Sequence, residues 1–209
     1  MSPVYVVGAG PQGRIVSEIL AANGRTAVLL DDKRELWGIT VVGGLDALPR
    51  GAEAIAAIGK PSLRLRLLAS IVERGGVQVS AIHPSAVVMP SVKVGPGSVI
   101  HPGSVVNTGT ALGLGAVINT SAVVEHDCVL EDGVNVSPGA RIGGRVRIGS
   151  GAFIATGAIV FARVEIGAGA IVGAGSIVTK DVPAGTLVFG SPARERGRVD
   201  DTFDWGRVL

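Results

Sequence analysis

The sequence predicts two architectures in series: an α/β domain of Rossmann-like type, then an all-β parallel β-helix. Three observations carry this. From Ile82 to Val178 every sixth residue is Ile, Leu or Val, an unbroken run of seventeen positions. Four places after each stands a small residue, from Ala86 through Cys128 to Val182. A six-residue period makes each repeat one short strand plus one corner, and stacked repeats bury a continuous interior. The third observation lies ahead of the repeat. Between Pro3 and Asp32 a strand, a GxGxxG turn, a helix and a second strand ending in acid follow one another.

In order, Pro3 to Val7 reads as a buried strand, followed by the turn Gly8-Ala9-Gly10-Pro11-Gln12-Gly13. Arg14 to Asn23 carries Ile15, Val16, Ile19 and Leu20 at helical spacing and stops at Gly24. Thr26 to Leu30 is a second strand leading into Asp31 and Asp32. Glycines in such a turn let backbone amides and a helix N-terminus approach an anion, and an acid beyond the second strand can accept from sugar hydroxyls. A third strand is expected near Thr40 to Val42 and a fourth from Ala54 to Ile58, ending at Gly59. Pro61 to Arg74 reads as a helix with Leu63, Leu67 and Ile71 on one side and Arg64 and Arg66 elsewhere, closed by Gly75. This unit is about half of a full dinucleotide-binding domain, which favours a nucleotide or nucleotide sugar over NAD. The expected boundaries are 1–80 for the Rossmann-like nucleotide-sugar-binding domain, 81–189 for the β-helix and 190–209 for a C-terminal tail.

Composition narrows the function classes. The 209 residues carry a net charge of +2, with Lys and Arg scattered and no basic block, so nucleic acid is not an expected partner. Although 47% of the chain is hydrophobic, Gly, Pro and Asn interrupt every apolar run before the ~18 residues a spanning helix needs. No charged leader or cleavage site precedes the first strand, and a cytoplasmic, non-inserted protein is the expectation. The lone Cys128 falls on the small-residue position of its hexad and reads as a buried core thiol.

Three hexads per turn would give coils of about 18 residues, five to six in all, stacked at ~4.8 Å. The fourth place of ten hexads is Gly, as corners with unusual backbone angles require. One corner departs: Val124-Glu125-His126-Asp127-Cys128-Val129 puts three polar groups where most repeats carry small residues. His126 beside Asp127 is a candidate general base oriented by a carboxylate. One coil on, Gly143 and Gly144 are expected to leave space above the imidazole. His83 and His101, one coil apart, could stack along one face. With His126 on another face and at another place in its hexad, no metal site is expected.

On these residues the chain resembles the sialic-acid O-acetyltransferase-like sugar acyltransferases, the family of the bacillosamine and perosamine N-acetyltransferases. The segment from Asn119 to Cys128 is its most specific match, supported by Val178 to Pro183 and Gly190 to Arg194. The resemblance implies a left-handed β-helix in a homotrimer, with acetyl-CoA as co-substrate in the groove between neighbouring β-helices. It implies His126 as base and Asp127 as the acid that raises its basicity. Nucleotide-sugar contacts would fall on Gly10, Pro11, Gln12, Asp31, Asp32 and Gly59, and acetyl-CoA contacts on Asn135, Thr156 and Ala174. Two positions depart from the family pattern: Gln12 and Asn135 each stand where a histidine is common, and neither amide can titrate. The implied activity is acetyl-CoA-dependent N-acetylation of a nucleotide-linked amino sugar in surface-glycan synthesis. Sugar O-acetylation, transfer of another acyl group, and a non-catalytic β-helical scaffold with a nucleotide-binding domain stay open as alternatives.

Overall fold

The structure, a computed structural model, describes residues 2–33, 35–36, 39–200 and 203–205; Met1 and, in the tail, Asp201 lie outside them. The N-terminal unit runs β1 (Val4–Val7), α1 (Pro11–Ala22), β2 (Ala27–Leu30), β3 (Glu35–Leu36), β4 (Ile39–Thr40), β5 (Glu53–Ala56), α2 (Pro61–Glu73) and β6 (Val77–Gln78). Alternating strands and helices give a parallel sheet in the order β2, β1, β5, β6. Helix α1 starts three residues earlier than expected because Pro11 occupies its first turn, where a missing N–H costs nothing. The strand expected near Thr40 pairs back on β3 as an antiparallel hairpin, and Gly43 then bridges Leu30 in parallel.

Helix α2 shows the largest difference from expectation. Its buried residues are Pro61, Arg64, Leu68 and Ile71, whereas Leu63 and Leu67 are only partly covered. Reading arginine as solvated put the apolar face out of phase; the inward stripe is i, i+4, i+7 from Arg64 itself. In α1, Val16, Ile19 and Leu20 are buried as expected, and Ile15 is exposed.

From Ala81 onward each hexad contributes a two-residue strand whose second residue is the six-residue lead. Val99–Ile100 pairs with Val117–Ile118, and that pair with Asn135–Val136, so one coil is 18 residues and three parallel sheets form. The lead residues and the small residues four places on fill the interior, from Ile100 and Val106 to Val178 and Val182. We refer to the three sheets by what covers them. The seam face runs from Ala81–Ile82 to Ile171–Val172, the apolar face from Val87–Val88 to Ile177–Val178, and the charged face from Lys93–Val94 to Glu165–Ile166.

The two units share packing instead of hanging on a linker. Ala81, Val99 and Val117, the outward residues of the first three seam-face strands, lie in one cluster with Val4, Val6, Val16 and Ile19. Side chains of Leu65 and Leu68 on α2 rest on the corner glycines Gly97, Gly115 and Gly133, where an added Cβ would come within 2.6 to 2.8 Å of them. At the far end, Thr186–Gly190 adds another strand to the seam face and Ala193–Arg198 folds back on it. The expected start of the tail at 190 thus falls inside a β-hairpin. Beyond it Phe203 and Trp205 close on Phe153, with Trp205 edge-on to both rings.

Candidate active site at the seam and at a β-helix corner

Two places in the molecule gather the expected site residues. The first is a cleft of about 410 Å³ at the seam between the units. The N-terminal unit contributes Pro11, Gln12 and Gly59, and the β-helix contributes Asn119, Asn135, Ser137, Pro138, Phe153 and Thr156. Of the residues expected to hold the nucleotide sugar, Pro11, Gln12 and Gly59 therefore share one space with Asn135 and Thr156, two of those expected to hold acetyl-CoA, whereas Gly10 does not line it. Ala174 does not line it, but stands one coil of 18 beyond Thr156 at the same exposed corner position.

Local chemistry explains the shape of this cleft. Gly13 packs so tightly that a Cβ would lie 1.9 Å from the Gly8 carbonyl oxygen, which brings α1 against the end of β1. Gly10 has open space around it, and no side chain caps α1, so the helix N-terminus faces outward with its dipole uncompensated. Asp31 braces the turn: its carboxylate accepts from the Ala9 amide at 2.9 Å and the Lys33 amide at 3.0 Å. Neither Asp31 nor the exposed Asp32 lines the cleft. Asn135 is buried and donates from Nδ2 to Ser137 Oγ at 3.0 Å.

Two buried groups behind the cleft were not expected from the sequence. Gln12 meets the fully buried His101 of the β-helix, Nε2 to Nε2, at 3.1 Å. Burial first, and the charge of His83 second, lower the His101 pKa to about 4, so the ring is neutral at physiological pH. His83 itself turns away to Ser85 Oγ at 2.7 Å. Arg64 is 0% exposed, and burial pulls its pKa down to about 10. It pairs with no carboxylate among the described residues. Its donors go instead to the carbonyls of Ile58, Gly59, Gly115 and Gly133 at 2.8 to 3.0 Å. The only sequence signal for Arg64 was its position in phase with Leu68 and Ile71.

The second place is the corner between the apolar and charged faces. His126 Nδ1 and Asp127 Oδ2 are 2.9 Å apart on exposed side chains, and Arg145 Nε stands 3.8 Å from the same oxygen. With Nδ1–H donated to the carboxylate, the Nε2 lone pair is left free. Gly144 lies directly beneath the ring, and a Cβ there would sit 2.6 Å from Nε2. The space expected above the imidazole is therefore a seat that the imidazole occupies. Asp127 holds φ at 58°, the left-handed turn that glycine adopts at most other corners. Glu125 looks along the apolar face and accepts from Asn107 Nδ2 at 3.1 Å.

Within one chain these two places do not meet. The cleft lies on the seam face and its edge with the apolar face; His126 lies at the other edge of the apolar face. Among the described residues no group of three His, Cys, Asp or Glu is placed to hold a metal ion, and no helix is long and apolar enough to cross a membrane.

Comparison with known proteins agrees with this layout. The family described as PglD N-terminal domain matches residues 3–71. No curated protein matches the chain significantly. The structure of PerB from Caulobacter crescentus in complex with CoA and GDP-perosamine is similar at TM-score 0.90 and 38% identity, over 94% of this chain and 98% of that one. The acetyltransferase domain of PglB from Neisseria gonorrhoeae FA1090, in complex with acetyl coenzyme A, is similar at TM-score 0.89 and 36% identity, over 93% and 98%. WeeI from Acinetobacter baumannii AYE follows at TM-score 0.86 and 30% identity, over 93% and 99%. Sharing more than nine-tenths of its length with these structures, the chain belongs to the family of left-handed β-helix sugar acetyltransferases of the bacillosamine and perosamine N-acetyltransferase type.

Proposed function

We propose that the chain transfers an acetyl group from acetyl-CoA to the amine of a nucleotide-linked amino sugar, with His126 as general base. The observation that carries this is the pairing of a base and its carboxylate at a corner where the fold asks only for a small residue, in a chain similar to PerB, whose structure holds CoA and GDP-perosamine. Nε2 of His126 accepts a proton from the amine as its nitrogen attacks the thioester carbonyl. The C–N bond forms, the tetrahedral intermediate collapses, the C–S bond breaks and the thiolate of CoA takes the proton back. Asp127 holds the tautomer and stabilises the imidazolium that forms in between. The second amide hydrogen of Asn135, or a backbone amide, is available to the developing oxyanion. Holding both substrates in one groove supplies much of the rate, because the attack becomes effectively unimolecular.

We further propose that the working unit is a homotrimer in the cytoplasm, where acetyl-CoA and nucleotide sugars are available. The apolar face exposes Val87, Met89, Ile159 and Phe161, more apolar surface than a solvated sheet needs. Three copies packed through this face about a common axis bring the His126 edge of one against the cleft edge of the next. That arrangement reunites what one chain keeps apart. The nucleotide is held by Gly10, Pro11, Gln12, Asp32 and Gly59, with Asp31 bracing the turn, and CoA runs past Asn135, Thr156 and Ala174.

Thiol release from acetyl-CoA, followed against UDP-, GDP- and dTDP-linked amino sugars with mass detection of the product, tests the reading. The expected result is release that depends on one such sugar and a product heavier by one acetyl group on nitrogen. Equal turnover of the matching hydroxy sugars, or silence across the panel with no CoA binding, contradicts it.

A further inference from the structure

We propose that Arg64 is a positioning residue for the nucleotide-sugar site: it fixes the Ile58–Gly59 wall of the cleft to the β-helix, so that the site is formed before ligand arrives. The inference rests on the reading of the seam cleft as the place where the nucleotide sugar binds.

The geometry is unusual for an arginine. A guanidinium has five N–H donors, and a buried one ordinarily faces a carboxylate. Here Nη1 spends both hydrogens on Ile58 and Gly59, at 2.8 and 3.0 Å. Nε reaches Gly115 at 2.8 Å and Nη2 reaches Gly133 at 2.9 Å. The first two acceptors belong to the strand-to-helix turn of the N-terminal unit, and Gly59 lines the cleft. The other two belong to successive coils of the β-helix, one register of 18 apart. One planar group thus ties four carbonyls from two units into a fixed spacing. Stability alone is served more cheaply by an apolar residue at such a seam, since a buried unpaired charge carries a large desolvation cost. What an apolar residue cannot do is set the position of the Gly59 carbonyl, and with it the N-terminus of α2, relative to the coil that carries Asn135. With no carboxylate partner for Arg64 among the described residues, its positive charge is left at the cleft wall, which suits an anionic ligand such as a nucleoside diphosphate.

Steady-state kinetics of Arg64→Lys and Arg64→Met, with both substrates varied, test this. A positioning role raises KM for the nucleotide sugar about tenfold or more in Arg64→Met, with partial rescue in Arg64→Lys, while KM for acetyl-CoA stays within about twofold. Loss of active fraction with both KM values unchanged, or both rising together, overturns it. Gln12→Ala separates the two levels. If it leaves the sugar KM unchanged, the cleft assignment fails and the inference with it; if it raises KM while the Arg64 variants do not, only the positioning role fails. Should the Arg64 variants not fold, amide hydrogen exchange of the wild type decides. The amides of residues 56–60 exchange slowly without ligand if the wall is preformed; fast exchange that slows only on adding UDP or GDP overturns the proposal.

Discussion

Two corners of the same β-helix use one backbone turn for different ends. At the corner under α2, Gly97, Gly115 and Gly133 hold φ between 62° and 69°; at the corner beside His126, Gly109, Asp127, Arg145 and Arg163 hold φ between 58° and 72°. The backbone is the same and the residues are not. Under α2 the missing Cβ is required twice, by the left-handed turn and by Leu65 and Leu68 pressing on it. At the other corner no helix packs on the turn, only the Asp127 carboxylate lies over Gly109, and three coils in succession carry a charged side chain in a conformation that costs a non-glycine residue roughly 1 kcal/mol. The difference teaches where selection for packing ends: charges are kept in a glycine conformation where the fold gains nothing from them.

Substitutions at the two corners should therefore fail in different ways. Gly115→Val puts a β-branched residue at φ 62° with its Cβ 2.6 Å from Leu68, and should cost about 3 kcal/mol or more of stability, read as a lower denaturation midpoint. His126→Ala should leave that midpoint in place and lower turnover about a hundredfold or more, about 2.7 kcal/mol of barrier. Near-normal turnover in that variant would remove His126 from the mechanism. His101 connects the seam to pH. Its pKa is lowered to about 4 in the fold from an ordinary value of 6.5, so as pH falls through that window the unfolded chain binds the proton first and stability is lost. The loss should reach about 3 kcal/mol by pH 4, and His101→Gln should flatten the curve between pH 6.5 and 4. Gly144→Ala tests the seat beneath the imidazole: turnover should fall roughly tenfold while the melting midpoint barely moves, because Gly144 has an ordinary φ. Smallest is Arg163→Gly. Relief of the left-handed turn, set against the extra freedom of glycine when unfolded, should leave a net gain of about 0.5 kcal/mol.

Much of this was legible in the sequence. The six-residue rule placed the lead residues inside the prism, and the glycine-rich turn between a strand and a helix placed the N-terminal unit. The corner at His126 stood out because its three polar residues break the rule. Arg64 was missed for a physical reason: helical periodicity treats arginine as solvated, and only the tertiary fold shows four backbone carbonyls converging on it. His101 was missed as a neutral buried partner of Gln12 because the two lie 89 residues apart on different units. The tail after Arg194 has no readable local pattern, because Phe203 and Trp205 pack on Phe153, a contact that no such pattern announces. Asn119, Ser137 and Phe153 joined the cleft only when successive coils brought them to one edge.

The central claim is that His126 of one copy works on substrate held in the cleft of the next, and co-expression of two inactive variants tests it most directly. One carries His126→Ala with an intact cleft; the other keeps His126 and has the cleft filled by Thr156→Trp. In randomly mixed trimers about one site in four pairs an intact histidine with an intact cleft, so turnover should return to about one quarter of the wild-type value. If the mixture stays as inactive as either variant alone, histidine and cleft act within a single chain and the account of the site is wrong.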